Sequence, residues 1–539
     1  MNSGNIRQLA ARGAGATLLS GGAGLAIQII ATVVLARLLS PSDFGVVAMV
    51  TTFSMLLTNF GLNGFTESLV QCENINHRLT SNLFWINIVV GLVLSFGFAA
   101  AGALLARFFN DPRVQDVAVA MASTIFLSSL AVLHLALLKR GMRFSLISAN
   151  DIVARTISVA LSIVLGWAGW GYWALVAGSV VLPLSTSIGA WALCPWLPGR
   201  PRRMEGTWPM VQFALHVYGR FTSNYFARNM DNLLIGWRFS AASLGFYKKA
   251  YDLFSLPATQ LVGNMSVVAI SALSRLTQDR MQYRRYLLGV LSALAFVGMG
   301  ISGELTLVGK DIIRLLLGPR WYAAGEIFTF FAPGIGIMLI YHTHGWIHLS
   351  IGRADRWFRW GIAEIIVTGA LFLLALPWGA AGIALAWGAS FWILVIPAFL
   401  YAGHPIEFPT SDLIAIVWKY ILASLVAGGC SAAILHQMRY LAALPGAAGS
   451  FARLVFASSL FCLLYCAMVI LLHRGNTPIR KVLELLQEIA PWNKGKVPAL
   501  RRVKSGSCDT TDLESRKLHP LEPQPKDQSP VAASPNPLL

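Results

Sequence analysis

Continuous apolar stretches of roughly 18 to 25 residues, parted by short polar turns, recur along most of the chain. None shows the period-two alternation of an outer-membrane barrel strand, so the pattern predicts membrane-crossing helices. Fourteen are expected. The first six fall at 13–36, 44–68, 82–106, 114–134, 148–166 and 171–193, and the next six at 208–231, 250–272, 288–308, 322–348, 358–377 and 381–402. A final pair follows at 412–436 and 451–472. The fold class expected is all-α and polytopic, with about 14 transmembrane helices.

The pattern also repeats. Ser40-Pro-Ser-Asp-Phe-Gly45 follows the first span, and Ser240-Ala-Ala-Ser-Leu-Gly245 follows the seventh, 200 residues on. Trp167-Ala-Gly-Trp-Gly171 joins spans five and six, and Trp378-Gly-Ala-Ala-Gly382 joins eleven and twelve, 211 residues on. Two ordered matches at nearly equal offset predict two pseudo-symmetric six-helix bundles, residues 1–200 and 201–404, with two additional helices in 405–475. A repeat of six spans keeps both copies in the same orientation, related by an axis along the membrane normal. Paired bundles of this kind commonly hold a substrate route between them and work by rocking. In the turn motif, Ser40 or Asp43, and Ser240 or Ser243, can cap the next helix, while Gly45 and Gly245 allow close packing. Residues 476–490 suit a short amphipathic surface helix, and the polar, Pro-rich end from Pro491 is expected to be a disordered cytoplasmic tail.

One span breaks the apolar rule. The seventh carries His216, Arg220, Asn224, Arg228 and Asp231, which share a helical arc of about 120°. A charge at the bilayer centre costs about 2.5–3.5 kcal/mol on insertion scales, so such residues face a bundle interior or a wet cavity. Two readings stand: the stripe lines a substrate path, or Arg228 and Asp231 form a structural pair near an interface. Arg155 joins the cavity candidates, since arginine holds phosphate through two parallel hydrogen bonds; Asp151, four residues before it, is a candidate salt-bridge partner. Glu67, Asp231, Asp252 and Glu364 are the candidates for ion coupling to H⁺ or Na⁺, or for structural roles.

Composition narrows the class. Of 539 residues 56% are hydrophobic and 12% charged, against about 25% charged in a soluble domain. The net charge of +18 would suggest nucleic acid in a soluble chain, but here it sits between spans, with no nucleic-acid motif beside it. Through the first twelve spans, sixteen Lys and Arg fall on the N-terminal segment and even-numbered connections and nine on the odd-numbered ones, which predicts both termini in the cytoplasm. The six cysteines form no CxxC, and Cys462 and Cys466 are expected as small buried side chains. The apolar N-terminal stretch is expected to be a retained first span. No phosphate-binding loop or hydrolase motif occurs, so neither an enzyme nor a nucleotide motor is predicted. His342, His344 and His348 have no acidic ligand nearby in sequence, so no metal is expected and packing or polar contacts are.

Several stretches together resemble the bacterial polysaccharide transporters related to Wzx. These are Val34-Leu-Ala-Arg-Leu-Leu-Ser-Pro-Ser-Asp-Phe-Gly-Val-Val-Ala-Met49, Phe60-Gly-Leu-Asn-Gly64, Asn229-Met-Asp-Asn-Leu-Leu-Ile-Gly236 and Leu244-Gly-Phe-Tyr-Lys-Lys-Ala-Tyr251, with Leu256-Pro257. The resemblance lies within the multidrug/oligosaccharidyl-lipid/polysaccharide superfamily, nearest the branch of WzxC and the rhizobial exopolysaccharide exporters. It implies a V-shaped cavity between two bundles and transfer of a polyprenyl-diphosphate-linked oligosaccharide from the inner to the outer leaflet of a bacterial inner membrane. Partners implied are that cargo, membrane lipids and polysaccharide polymerase or export machinery, with no cofactor. The alternatives of the same architecture are a multidrug extruder and a lipid II-like precursor exporter, and a nontransporting scramblase or scaffold is a third.

Overall fold

The computed structural model describes residues 3–71, 76–201, 207–438, 446–476 and 478–480, and among them no strand occurs. In chain order the helices are α1 (Ser3–Leu38), α2 (Pro41–Gln71), α3 (His77–Ala100), α4 (Gly102–Phe109), α5 (Arg113–Arg140), α6 (Phe144–Trp167) and α7 (Tyr172–Leu193). Then come α8 (Thr207–Arg238), α9 (Ala241–Pro257), α10 (Gly263–Arg275), α11 (Arg280–Leu317), α12 (Tyr322–Phe331), α13 (Ile335–His342) and α14 (His344–Ser350). The last are α15 (Ala354–Ala375), α16 (Gly379–Gly403), α17 (Thr410–Gln437) and α18 (Gly446–His473). The expected tail, and nearly all of the amphipathic segment before it, lie outside the described residues.

Eleven stretches of the described residues are long and apolar enough to cross a membrane, and one of them, Ala354–Ile406, holds both α15 and α16. The chain is therefore a multi-pass membrane protein. Helix α8 and the α9–α10 rod lie outside these eleven stretches. Breaks within rods have local causes. Pro257 ends α9 and a single π turn, Ala258–Val262, leads into α10; Pro333 sits in the 3₁₀ turn between α12 and α13. A proline removes one backbone donor and crowds the preceding turn, which is where such distortions occur.

The N-terminal helices pack as α1 on α6, α5 on α2, α3 and α7, and α6 on α7. Buried hydroxyls and amides are satisfied across these contacts: Asn87 Nδ2 donates to Ser129 O at 2.8 Å and Ser158 Oγ to Gly178 O at 2.8 Å. In the C-terminal part α11 is the hub, against which α12, α13, α17 and α18 all lie. The final pair is fastened to it through backbone acceptors, Ser424 Oγ to Met299 O at 2.8 Å and Tyr465 OH to Phe296 O at 2.7 Å. Cys462, expected to be buried, is exposed on α18, where a small thiol is tolerated against lipid.

The two repeat motifs meet each other. A Cβ built on Gly45 would stand 1.7 Å from the carbonyl oxygen of Ala241, and one on Gly245 would stand 1.9 Å from that of Pro41. The start of α2 therefore crosses the start of α9 backbone to backbone, and each motif supplies the same position to the other. A second pair has the same form. Trp321 Nε1 donates to Ala36 O at 2.7 Å, while Phe109 covers Gly236, where a Cβ would be 2.7 Å from its ring. Ser40 and Asp43 set the approach through a reciprocal cap: Asp43 Oδ2 accepts from Ser40 N at 2.8 Å and from Ser40 Oγ at 2.6 Å. Below the crossing, α2 and α8 stay in contact. Tyr225 OH donates to Thr52 O at 2.7 Å and Tyr218 OH to Leu56 O at 3.1 Å. At the end of the molecule bearing residues 38–41 and 238–241, the two halves are shut against each other.

Candidate functional site

Beyond the shut end, Arg228 and Asp231 of α8 lie among residues of α9, α13, α15 and α16. Asp231 is fully buried. Its Oδ2 accepts from Tyr247 OH at 2.6 Å and from Trp387 Nε1 at 2.9 Å, and its Oδ1 from the backbone N of Asn232 at 2.8 Å. Burying a carboxylate is costly unless its lone pairs are filled, and three donors fill them here. Asp231 therefore ties α8 to α9 and α16. It makes no ion pair with Arg228, one turn away, so the local pair that the spacing allowed does not form.

Arg228 points elsewhere. Its guanidinium is exposed and stands within electrostatic reach of Tyr251, Tyr341, His342 and Glu364. Glu364 on α15 lies against Tyr341, whose hydroxyl accepts from Trp360 Nε1 at 2.9 Å. Tyr251, His342 and Glu364 are each enclosed by many protein atoms, yet each keeps part of its surface open. That combination marks the wall of a crevice rather than a lipid-facing perimeter.

Two lysines extend the wall. The span was expected to begin near residue 250, with Lys248 and Lys249 in the preceding connection; instead α9 begins at Ala241, capped by Ser240, so both lie two turns inside it. Asp252 pairs with Lys248 and lies 3.8 Å from Lys249. The side chains of Lys248 and Asp252 are each 36% exposed, part-open like their neighbours. Lys249 also sits 4.3 Å over the ring of Phe44, which bridges the halves by a cation–π contact. A cavity of about 230 Å³ between α1, α2, α6, α7 and α9 is lined by Arg155 and Lys249 together with Gln28, Thr32 and Phe44. Arg155 itself is bound to Asp151 at 2.8 Å. Much of the positive charge is thus neutralised locally, and Arg228 is the cation of this region without an ion pair among the described residues.

The side chains of Glu67, His216, Arg220 and Asn224 lie outside what the structure describes. Of the expected residues, Arg228, Asp231, Asp252 and Glu364 converge on the region where α8, α9, α13 and α15 meet, while Arg155 borders the neighbouring cavity. Lys248, Lys249, Tyr247, Tyr251 and Trp387 were not expected. The lysines carried a signal, since Lys248 and Asp252 are four apart on one helix face. The aromatic partners carried none. His344 and His348 are buried among aromatic rings, His344 Nδ1 lying 2.6 Å from Tyr341 O. Among the described residues no group of three or more potential ligands could hold a metal.

Known proteins resemble this chain in both sequence and fold. A family model described as "Polysaccharide biosynthesis protein" matches residues 34–326, more than half of the chain. The teichuronic acid biosynthesis protein TuaB of Bacillus subtilis (strain 168) is 24% identical over 340 residues, 62% of this chain and 69% of its own length. The succinoglycan biosynthesis transport protein ExoT of Rhizobium meliloti (strain 1021) is 21% identical over 393 residues, 73% and 78%. The lipopolysaccharide biosynthesis protein WzxC of Escherichia coli (strain K12) is 20% identical over 307 residues, 55% and 61%. Among solved structures, the lipid II flippase MurJ in its inward closed conformation superposes with a TM-score of 0.67 at 16% identity, covering 86% of this chain and 99% of that one. An inward-facing multidrug resistance MATE family transporter of the MOP superfamily gives 0.58 at 11% identity, over 71% and 94%. The fold is the one these transporters share.

Proposed function

Because the chain belongs to the polysaccharide biosynthesis protein family, we propose that it flips a polyprenyl-diphosphate-linked oligosaccharide across a bacterial inner membrane, by alternating access between two six-helix bundles. The observation that carries this reading is the part-open polar wall of Arg228, Lys248, Asp252 and Glu364, enclosed between helices whose opposite end is shut. A hydrated diphosphate and sugar headgroup needs such a path, while the polyprenyl tail stays in hydrocarbon. In this reading the bundles are residues 1–200 and 201–404, with α17 and α18 as the two extra spans among fourteen, and both termini are cytoplasmic. The shut end is then the outer one.

No bond is made or broken, and no cofactor is required. Of the acidic candidates Glu364 suits ion coupling, since it is part-open and faces Arg228, whereas Asp231 is closed off by its three donors. Polysaccharide polymerase and export machinery are the expected protein partners.

The test is reconstitution into vesicles with a fluorescent polyprenyl-diphosphate oligosaccharide, following its accessibility to an impermeant quencher. Parent protein should equilibrate the label between leaflets, and Arg228→Ala should slow this about tenfold or more while inserting normally. Equal flipping by parent and empty vesicles would sink the proposal.

A further inference from the structure

A second cationic cavity lies outside the region between the halves. Its volume is about 600 Å³, and it is enclosed by the first turns of α11, the first turns of α17 and the C-terminal end of α18. All three helix ends belong to the face predicted to be cytoplasmic. Arg284, Arg285, Lys419 and His473 supply its basic lining, Ser292 and Tyr420 add hydroxyls, and no carboxylate among the described residues lines it. Asp412 is engaged by Arg284, and among the described residues neither Arg285 nor Lys419 forms an ion pair. Lys419 is the more telling of the two. It lies three turns into an apolar span, where an ammonium is costly unless its flexible stem carries it to water or to an anion. The remaining lining includes Met281, Leu288 and Ile416, and the cavity runs from Met281 to Ser292, roughly 16 Å of helix rise. Beside its mouth α17 presents Ile414, Trp418 and Leu422 to the outside, a surface suited to hydrocarbon with an interfacial indole.

We propose that this cavity binds the phosphate of an anionic membrane phospholipid, held by Arg285 and Lys419, with an acyl chain along the exposed face of α17. The apolar walls and the adjoining hydrocarbon-facing surface favour a lipid over free phosphate, and its place at the positive inner face is where anionic headgroups collect. The cavity is formed by the extra helix pair against α11 and shares no residue with the wall around Arg228. The proposal therefore stands or falls independently of the transport reading.

The full chain, purified in neutral detergent, is titrated with phosphatidylglycerol and with phosphatidylcholine, and bound lipid is counted by native mass spectrometry. The parent is expected to hold phosphatidylglycerol selectively. Arg285→Gln with Lys419→Gln should weaken it about tenfold or more, since each basic residue near a membrane surface contributes about 1 kcal/mol. Gly289→Leu provides a variant with unchanged charge. A Cβ at Gly289 meets no atom within 4 Å, so the larger side chain fills the cavity without disturbing the packing, and it should also abolish selective binding. Arg275→Gln with Arg359→Gln removes the same charge elsewhere on this face and should change nothing. Displacement of the lipid by millimolar inorganic phosphate would show that the headgroup phosphate alone is recognised, and its failure would assign the site to the whole lipid. Either result supports a phosphate site. Selective binding by Gly289→Leu equal to the parent, or an equal loss in the Arg275/Arg359 control, would overturn it.

Discussion

Asp231 shows how far a polar residue's role depends on neighbours distant in sequence. On the helix it belongs to the same arc as Arg228, and the spacing left open whether the two pair. The structure gives it Tyr247 and Trp387 instead, 16 and 156 residues away. Asp231→Ala strands a buried hydroxyl and a buried indole N–H, each costing about 1–3 kcal/mol, so the apparent Tm in detergent should fall by several degrees. Asp231→Asn keeps one acceptor oxygen and should fall less; an unchanged Tm for the alanine variant would remove the tie. Glu364→Gln, by contrast, should leave Tm nearly unchanged and flatten the dependence of flipping on pH or Na⁺, measured in vesicles with an imposed gradient. Outside the spans, Asp111 is bound by Arg113 at 2.7 Å, which holds its carboxyl below the ordinary aspartate range. A depressed folded value contributes stability above the unfolded value of about 4, and that stability is lost as pH falls through the folded one. The Tm difference between parent and Asp111→Asn should therefore be constant from pH 8 to about 5 and vanish in stronger acid.

Helices were legible where the apolar runs were long, and their ends were not. Of the fourteen predicted spans, 171–193 matches α7 (Tyr172–Leu193) within a residue, because Gly171 and Trp170 close it sharply. The start of α9 was misplaced by nine residues, since Lys248 and Lys249 look like connection residues until Asp252 and the ring of Phe44 account for them. The crossing of α2 and α9 was half visible. The S-x-x-x-[FL]-G motifs marked close packing near two helix starts, but nothing in one chain's pattern says that each motif packs on the other. Gly45→Val and Gly245→Val each force side-chain atoms into a carbonyl, and because the contact is reciprocal they should act alike. With a reporter Phe44→Cys, both should raise the rate of labelling by a membrane-impermeant maleimide at the outer surface. A rate equal to that of the reporter alone would mean the crossing does not close that end.

For the molecule as a whole, the doubled frame was accessible from sequence because two short motifs kept their order and offset. The crevice wall was less so, because its aromatic members sit on helices far apart in the chain and only folding assembles them. A contact in which residue 41 meets 245 while 241 meets 45 has the geometry of two subunits joined across a dyad, carried here within one polypeptide. The covalent join between the halves then serves as a tether that raises their local concentration, and recognition resides in the surfaces themselves. Cells making residues 1–201 and 207–539 as separate chains should yield both on an affinity column that captures only one. A Gly245→Val change in the second fragment should leave the first in the flow-through.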